Sequence, residues 1–204
     1  MPHQLITHMF MHAAYDIKGN IIFSHIFFNM FAVFMFGSVL ERTWGSTKYL
    51  VYYILTGLGA AGLQLLVAYI RIHAIEADIP ADLVAKVYTE GSNALAQSKN
   101  FIDPLAAKLN ELLNIPMVGA SGAVFGLLVA FGMLFPNVEL MMLFFPVPIK
   151  AKWFVIGYGV MELVLGVLDN AGDSVAHFAH LGGLITGFFI ILYWRKKAKS
   201  NGRF

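Results

Sequence analysis

Apolar residues along this 204-residue chain gather into continuous runs rather than alternating with polar ones. A helix needs about 20 mostly apolar residues to cross the hydrocarbon of a bilayer. Five runs approach that length, at residues 21–40, 49–70, 119–135, 153–168 and 175–194. The third is the shortest, with its apolar part at Ser121–Phe135. Unbroken runs predict helices, since the strands of a membrane barrel would alternate. The expected fold class is all-α, a polytopic transmembrane helical bundle with five visible spans in a single membrane domain over 1–204.

Between the second and third runs lies the longest polar stretch, 71–116. Ala81–Tyr88 and Pro104–Leu113 space their apolar residues helically, as at Leu105, Leu109, Leu112 and Leu113. Gly91-Ser92-Asn93 and Asp103-Pro104 read as breaks. This stretch predicts an exterior insertion loop with two short amphipathic helices on or near the membrane surface.

Composition agrees with a membrane protein. Hydrophobic residues make up 58% of the chain and charged residues 13%, against roughly 25% charged in an ordinary soluble domain. Mean hydropathy is +0.70. So few charges cannot cover a water-facing surface, and disorder, collagen, coiled coil and a nucleic-acid-binding surface all fit poorly. There is no cysteine, which removes disulfides and thiolate chemistry. The N-terminal residues lack a basic region followed by an apolar one, so no cleavable signal peptide is expected.

The net charge of +2 says less than where the charges fall. Five spans put Arg42, Lys48, Lys150, Lys152 and the tail Arg195, Lys196, Lys197, Lys199 and Arg203 on one side. Lys18, Arg71, Lys86, Lys99 and Lys108 fall on the other, among the acids Glu76, Asp78, Asp82, Glu90, Asp103 and Glu111. By the excess of Lys and Arg on cytoplasmic loops, the C-terminus is expected in the cytoplasm and the N-terminal segment and 71–116 outside.

Strongly polar side chains within lipid are costly and call for an explanation. His25 and Asn29, four residues apart, share one helix face. They read either as an interhelical packing pair or as donors aimed at a developing negative charge. Gln64 and Glu162 read as interhelical hydrogen-bonding groups. Ser121 stands where a loop passes into a helix, within Gly119-Ala120-Ser121-Gly122. A serine there is commonly an N-cap, but small neighbours leave this hydroxyl uncovered. Unpaired N–H groups at a helix start favour an anion, which suits a nucleophile whose tetrahedral intermediate carries an oxyanion.

His180 precedes Gly183 and Gly187, and Ser121 precedes Gly122 and Gly126. Each glycine pair has the spacing that lets membrane helices approach closely. If the two faces meet, His180 reaches the Ser121 hydroxyl and its neutral imidazole can serve as base. No carboxylate suggests itself beside His180, because Asp169 and Asp173 fall in the preceding loop and Glu162 is expected deeper in its span. A Ser121–His180 dyad is therefore expected, with the imidazole packed against Phe125.

These residues resemble the rhomboid family of intramembrane serine proteases. Gly119-Ala120-Ser121-Gly122 resembles its GxSG motif, and Ala179-His180-Leu181-Gly182-Gly183 with Gly187 its AHxxGxxxG motif. His25 and Asn29 resemble HxxxN, and Glu41-Arg42-Thr43-Trp44-Gly45 resembles ERxxG. The segment with Gln4, His8 and His12 resembles the one that precedes HxxxN. The matches come in the family's order and cover nearly all of the chain outside 72–115.

The resemblance implies a rhomboid-type bundle with Ser121 as nucleophile and His180 as general base. It implies an oxyanion hole of His25, Asn29 and the Ser121 backbone N–H, and active-site packing by Gly119, Gly122, Phe125, Gly183 and Gly187. His8 and His12 would tie down the exterior loop. His177 is the other histidine near the dyad, but the glycine spacing selects His180. Glu41 and Arg42 read as a structural clamp. No cofactor or metal is called for, and no HExxH pattern pairs the histidines as zinc ligands.

The chain departs from the family in three ways. No span is expected before Pro2, where members usually have at least six spans; Phe125 stands where tyrosine is frequent; and 71–116 is long. The expected activity is cleavage of peptide bonds in or near the transmembrane segments of other proteins, favouring segments with small or helix-breaking residues. The expected setting is multi-pass in a bacterial inner membrane. One alternative is a non-catalytic rhomboid-like protein that binds transmembrane clients. Another, a transporter, would need inverted repeats or broken helices in matching halves, which the sequence lacks.

Overall fold

The computed structural model describes residues 3, 7–11, 23–114, 119–141, 147–168 and 176–200. The expected span starts at 21–22 and 175, together with Gln4, His12, Lys18, Asp169, Asp173 and Arg203, lie outside the described residues.

Seven helices account for almost all of the described chain: α1, Ser24–Trp44; α2, Ser46–Asp78; α3, Ala81–Ala96; α4, Pro104–Asn114; α5, Ser121–Leu134; α6, Ala151–Leu168; and α7, His177–Ser200. Between α5 and α6, β1 (Glu139–Met141) and β2 (Pro148–Lys150) pair antiparallel, with Leu140 opposite Ile149. Helices α1, α2, α6 and α7 are long and apolar enough to cross a membrane, and α5 is a shorter apolar helix. The protein is an all-α polytopic bundle.

The chain divides into two compact units, Met1–Gln64 with Val118–Phe204, and Leu65–Met117. In the first, α5 is the central helix. Every residue from Gly122 to Gly132 is buried, as expected of a helix apolar all round. Small residues let its neighbours close in. A methyl group at Gly126 would strike the Thr56 side chain on α2, and one at Gly183 on α7 would strike the Gly122 carbonyl. Tyr52, fully buried on α2, donates its hydroxyl to the Gly126 carbonyl at 2.7 Å.

Helices α5 and α7 run parallel, so the Gly122–Gly126 stripe of one lies along the Gly183–Gly187 stripe of the other. The outer faces carry exposed apolar side chains such as Phe34, Val160, Val167 and Phe189, suited to lipid. At the end away from Ser121, Trp44 and Trp194 meet edge to face at 5.3 Å and Lys48 Nζ lies 4.3 Å from the Trp194 ring. Aromatic rings and lysines of this kind suit a membrane–water interface.

The second unit differs from expectation in its helix lengths. Helix α2 does not stop at residue 70 but continues to Asp78. Ile72 and Ile75 on that extension pack with Ile79, Val87, Ala106 and Leu109 in a separate apolar cluster. Hydropathy falls after Ile70, but helical spacing of isoleucines persists until Pro80 makes the preceding residue unfavourable for helix. Nor does Gly91-Ser92-Asn93 break α3, which runs on to Ala96. Gly91 is buried, and a methyl there would meet the Asn110 side chain. Asn110 instead donates to the Gly91 carbonyl at 3.1 Å, so this glycine admits a neighbouring helix. The amphipathic faces of α3 and α4 pack against one another through Val87, Ala106 and Leu109.

Candidate active site

Ser121 opens α5 and is half-buried. The residue two before it, Gly119, has φ +120°, a conformation that glycine adopts without steric cost. Its N–H donates to the His8 carbonyl at 2.9 Å. His8 belongs to a short 3-10 turn whose next residue, Met9, is buried against Gly57. The approach to the serine is thus held by backbone contact with His8.

His180 lies in the first turn of α7, and its Nε2 is 2.9 Å from Ser121 Oγ. The imidazole stacks on Phe125, with ring centroids 4.2 Å apart and planes 9° from parallel. Phe125 is one turn beyond Ser121, so a single helix supplies both the hydroxyl and the flat apolar surface that fixes the ring. The close approach at Gly122 and Gly183 brings the two helices within that reach.

His25, near the start of α1, stands over Gly119. A methyl group built on Gly119 would lie 2.9 Å from His25 Nε2 and 3.8 Å from Ser121 Oγ. The space that Gly119 leaves open therefore borders both side chains. Asn29 is buried, and its Nδ2 donates to the His25 carbonyl at 2.9 Å. One of its two amide hydrogens is committed to its own helix, which ties Asn29 to the residue that faces Gly119.

Glu162 corrects the expectation that no carboxylate stands near His180. It is buried on α6, and its Oε2 lies 3.0 Å from His180 Nδ1 and 2.5 Å from His177 Nδ1. The His177 contact is a hydrogen bond; the His180 nitrogen is close but out of line for one. Helices α6 and α7 form an antiparallel pair in which Gly166 touches His177. Moving one turn away from that contact on each helix arrives at Glu162 and Leu181. Counting register from the α6–α7 connection, rather than depth within one span, was the signal that could have found it.

Gln64 was expected to hydrogen-bond between helices, but its Oε1 is buried with no hydrogen-bond partner among the described residues. Glu162, His177 and His180 each present one donor atom, all within 4.8 Å of one another, and form the one cluster among the described residues that could hold a metal ion.

Chemically, the arrangement pairs a hydroxyl with an imidazole base and sets a carboxylate behind the base. The helix N-terminus supplies N–H groups without intrahelical partners, beside a second imidazole.

Comparison with known proteins gives two matches. The family model described as the Rhomboid domain matches residues 1–74 and 84–197. Rhomboid protein 1, mitochondrial, of Saccharomyces cerevisiae is 40% identical over 86 residues, which is 42% of this chain and 24% of that protein. The match thus spans about a quarter of that relative's length. No solved structure matches the chain.

Proposed function

The chain belongs to the rhomboid family, and on that premise we propose that it is an intramembrane serine endopeptidase acting through Ser121 and His180. The observation that carries this reading is the 2.9 Å contact between His180 Nε2 and Ser121 Oγ. A serine hydroxyl is a weak nucleophile near neutral pH until a neighbouring base takes its proton.

In the proposed reaction, Ser121 Oγ attacks the carbonyl carbon of a substrate peptide bond while His180 Nε2 takes the hydroxyl proton. The negative charge that develops on the carbonyl oxygen is met by the Ser121 backbone N–H, His25 and Asn29. The intermediate then collapses: the C–N bond breaks, the imidazolium gives its proton to the leaving amine, and the acyl group stays on Ser121 as an ester. Water attacks that ester with His180 again as base, releasing the new carboxylate and the free serine. For Nε2 to accept a proton, the ring hydrogen must sit on Nδ1, and the Glu162 carboxylate favours that tautomer.

The length of α5 supports cleavage within the membrane. Its 14 residues give a helix of about 21 Å, short of the roughly 30 Å hydrocarbon layer. With its far end at the membrane boundary, Ser121 stands below the opposite surface, where a substrate helix must unwind to present a carbonyl. Segments with small or helix-breaking residues are the preferred substrates on this reading. The distribution of Lys and Arg supports a cytoplasmic C-terminus, with Ser121 toward the exterior side of the membrane.

The test is cleavage of a transmembrane-segment substrate in liposomes by wild type, Ser121→Ala and His180→Ala. Both variants should fold and lose at least about 10³-fold in rate, as serine hydrolases do on loss of nucleophile or base. A folded wild type that binds the substrate without cutting it, or a Ser121→Ala protein that cuts as well as wild type, would replace protease by client binder.

A further inference from the structure

We propose that Glu162, His177 and His180 form a binding site for a divalent cation of the zinc class, and that the cation switches the enzyme off. The inhibition, though not the binding, rests on the function proposed above.

All three side chains are at least nine-tenths buried, at 5% exposure for Glu162, 8% for His177 and 10% for His180. Their donor atoms lie within 4.8 Å of one another. Both Nδ1 atoms converge on the same carboxylate oxygen, at 2.5 and 3.0 Å. Two imidazoles and a carboxylate are a donor set that zinc takes readily, at about 2.0–2.2 Å from each atom. In a tetrahedral arrangement at those lengths the donors stand about 3.3 Å apart, so the two nitrogen–oxygen separations need only a small opening. Imidazole nitrogens select zinc-class ions over magnesium or calcium, which prefer oxygen.

The chemistry of the switch follows from where the ring proton sits. The active base needs its proton on Nδ1 and a lone pair on Nε2 toward Ser121. A cation bound through Nδ1 uses that nitrogen's lone pair, and a neutral imidazole then carries its one hydrogen on Nε2. His180 can donate to Ser121 Oγ in that state but cannot accept its proton. His177 makes the same change, moving the hydrogen from Nδ1 to Nε2. No proton is gained or lost by either ring, and Glu162 remains a carboxylate.

The test uses the full chain in detergent, titrated with zinc sulfate. His73 is replaced by alanine to remove the exposed His73–Glu76 pair, which lies 2.8 Å apart. The Ser121→Ala protein should bind one zinc per chain, since Ser121 is not a ligand. Glu162→Gln and His177→Gln should each weaken binding at least about 100-fold, the upper end of what loss of a supporting residue costs a metal site. Cobalt(II) added to the protein with Glu162 and His177 intact should give the visible bands of a low-coordinate nitrogen site, and this needs no ligand variant to fold. Zinc should stop cleavage by the Ser121-intact protein, and a chelator should restore it.

No tight zinc binding, no cobalt bands, or affinity unchanged in both ligand variants would overturn the site. Zinc bound with cleavage unaffected would overturn the switch. Stoichiometric binding by a protein that cuts nothing would sink the protease reading and leave the site standing.

Discussion

Glu162 Oε2 lies 3.0 Å from Nδ1 of His180, on the opposite side of the imidazole from Ser121. The carboxylate is shared, because His177 Nδ1 donates a hydrogen bond to the same oxygen at 2.5 Å. On the function proposed above, Glu162 is a positioning residue that acts on His180 through its place behind the ring and the tautomer it favours.

Replacing Glu162 by glutamine keeps the size of the side chain but removes the charge. Turnover should fall by about 10- to 100-fold, less than the roughly 10⁴-fold loss when the carboxylate of a soluble triad is neutralised, because the contact is out of line and divided between two rings. The KM should stay within about twofold, since substrate binding is untouched. Steady-state kinetics in liposomes would check this; a raised KM with unchanged turnover would refute a positioning role.

Gly119 combines φ +120° with a lack of room for a side chain. Alanine there would strain the backbone by about 1–3 kcal/mol and set a methyl 2.9 Å from His25 Nε2. The methyl would occupy the space between His25 and Ser121 in which the oxyanion is proposed to form. Gly119→Ala should fold but lose at least about 10²-fold in cleavage rate, comparable to loss of one oxyanion donor. Full activity in that variant would remove His25 from the proposed hole.

The relation of Ser121 to His180 was legible because both sit one residue or one turn from small-residue stripes whose spacing dictates close packing. The family motifs pointed to the same residues. The Glu162 contact was not legible from periodicity, which reads each helix alone, whereas this contact depends on how α6 and α7 are set against each other. The continuation of α2 to Asp78 was hidden for a related reason. Hydropathy marks where lipid ends, and a helix can continue beyond it when Ile72 and Ile75 find a second core. Gly91 misled because a buried glycine admits a neighbour as readily as it breaks a helix.

Tyr88 on α3 donates its hydroxyl to Glu76 Oε1 at 2.7 Å. That hydrogen bond to a carboxylate holds the phenol above its ordinary value of about 10. A raised folded-state value means the contact is fully present below pH 10 and is lost as the phenol ionises above it. Carbon-13 NMR of labelled tyrosine should give Tyr88 a titration midpoint above 10 in wild type, returning toward 10 in Glu76→Gln. Equal midpoints in the two proteins would show that the bond does not persist in solution.

Gly183 and Gly157 offer a matched pair for the close packing of α5 and α7. A methyl at Gly183 would overlap the Gly122 carbonyl oxygen and lie 2.8 Å from its carbon, whereas one at Gly157 would meet nothing within 4 Å. Backbone atoms cannot swing aside as a flexible side chain can, so Gly183→Ala must push the helices apart. The cost should be about 1–3 kcal/mol, seen as a lower melting midpoint in mild detergent. Cleavage should fall as well, because the same separation lengthens the reach from His180 to Ser121. Gly157→Ala should leave both unchanged. If Gly183→Ala melted and cut like wild type, the glycine stripes would not be what holds the base against the nucleophile.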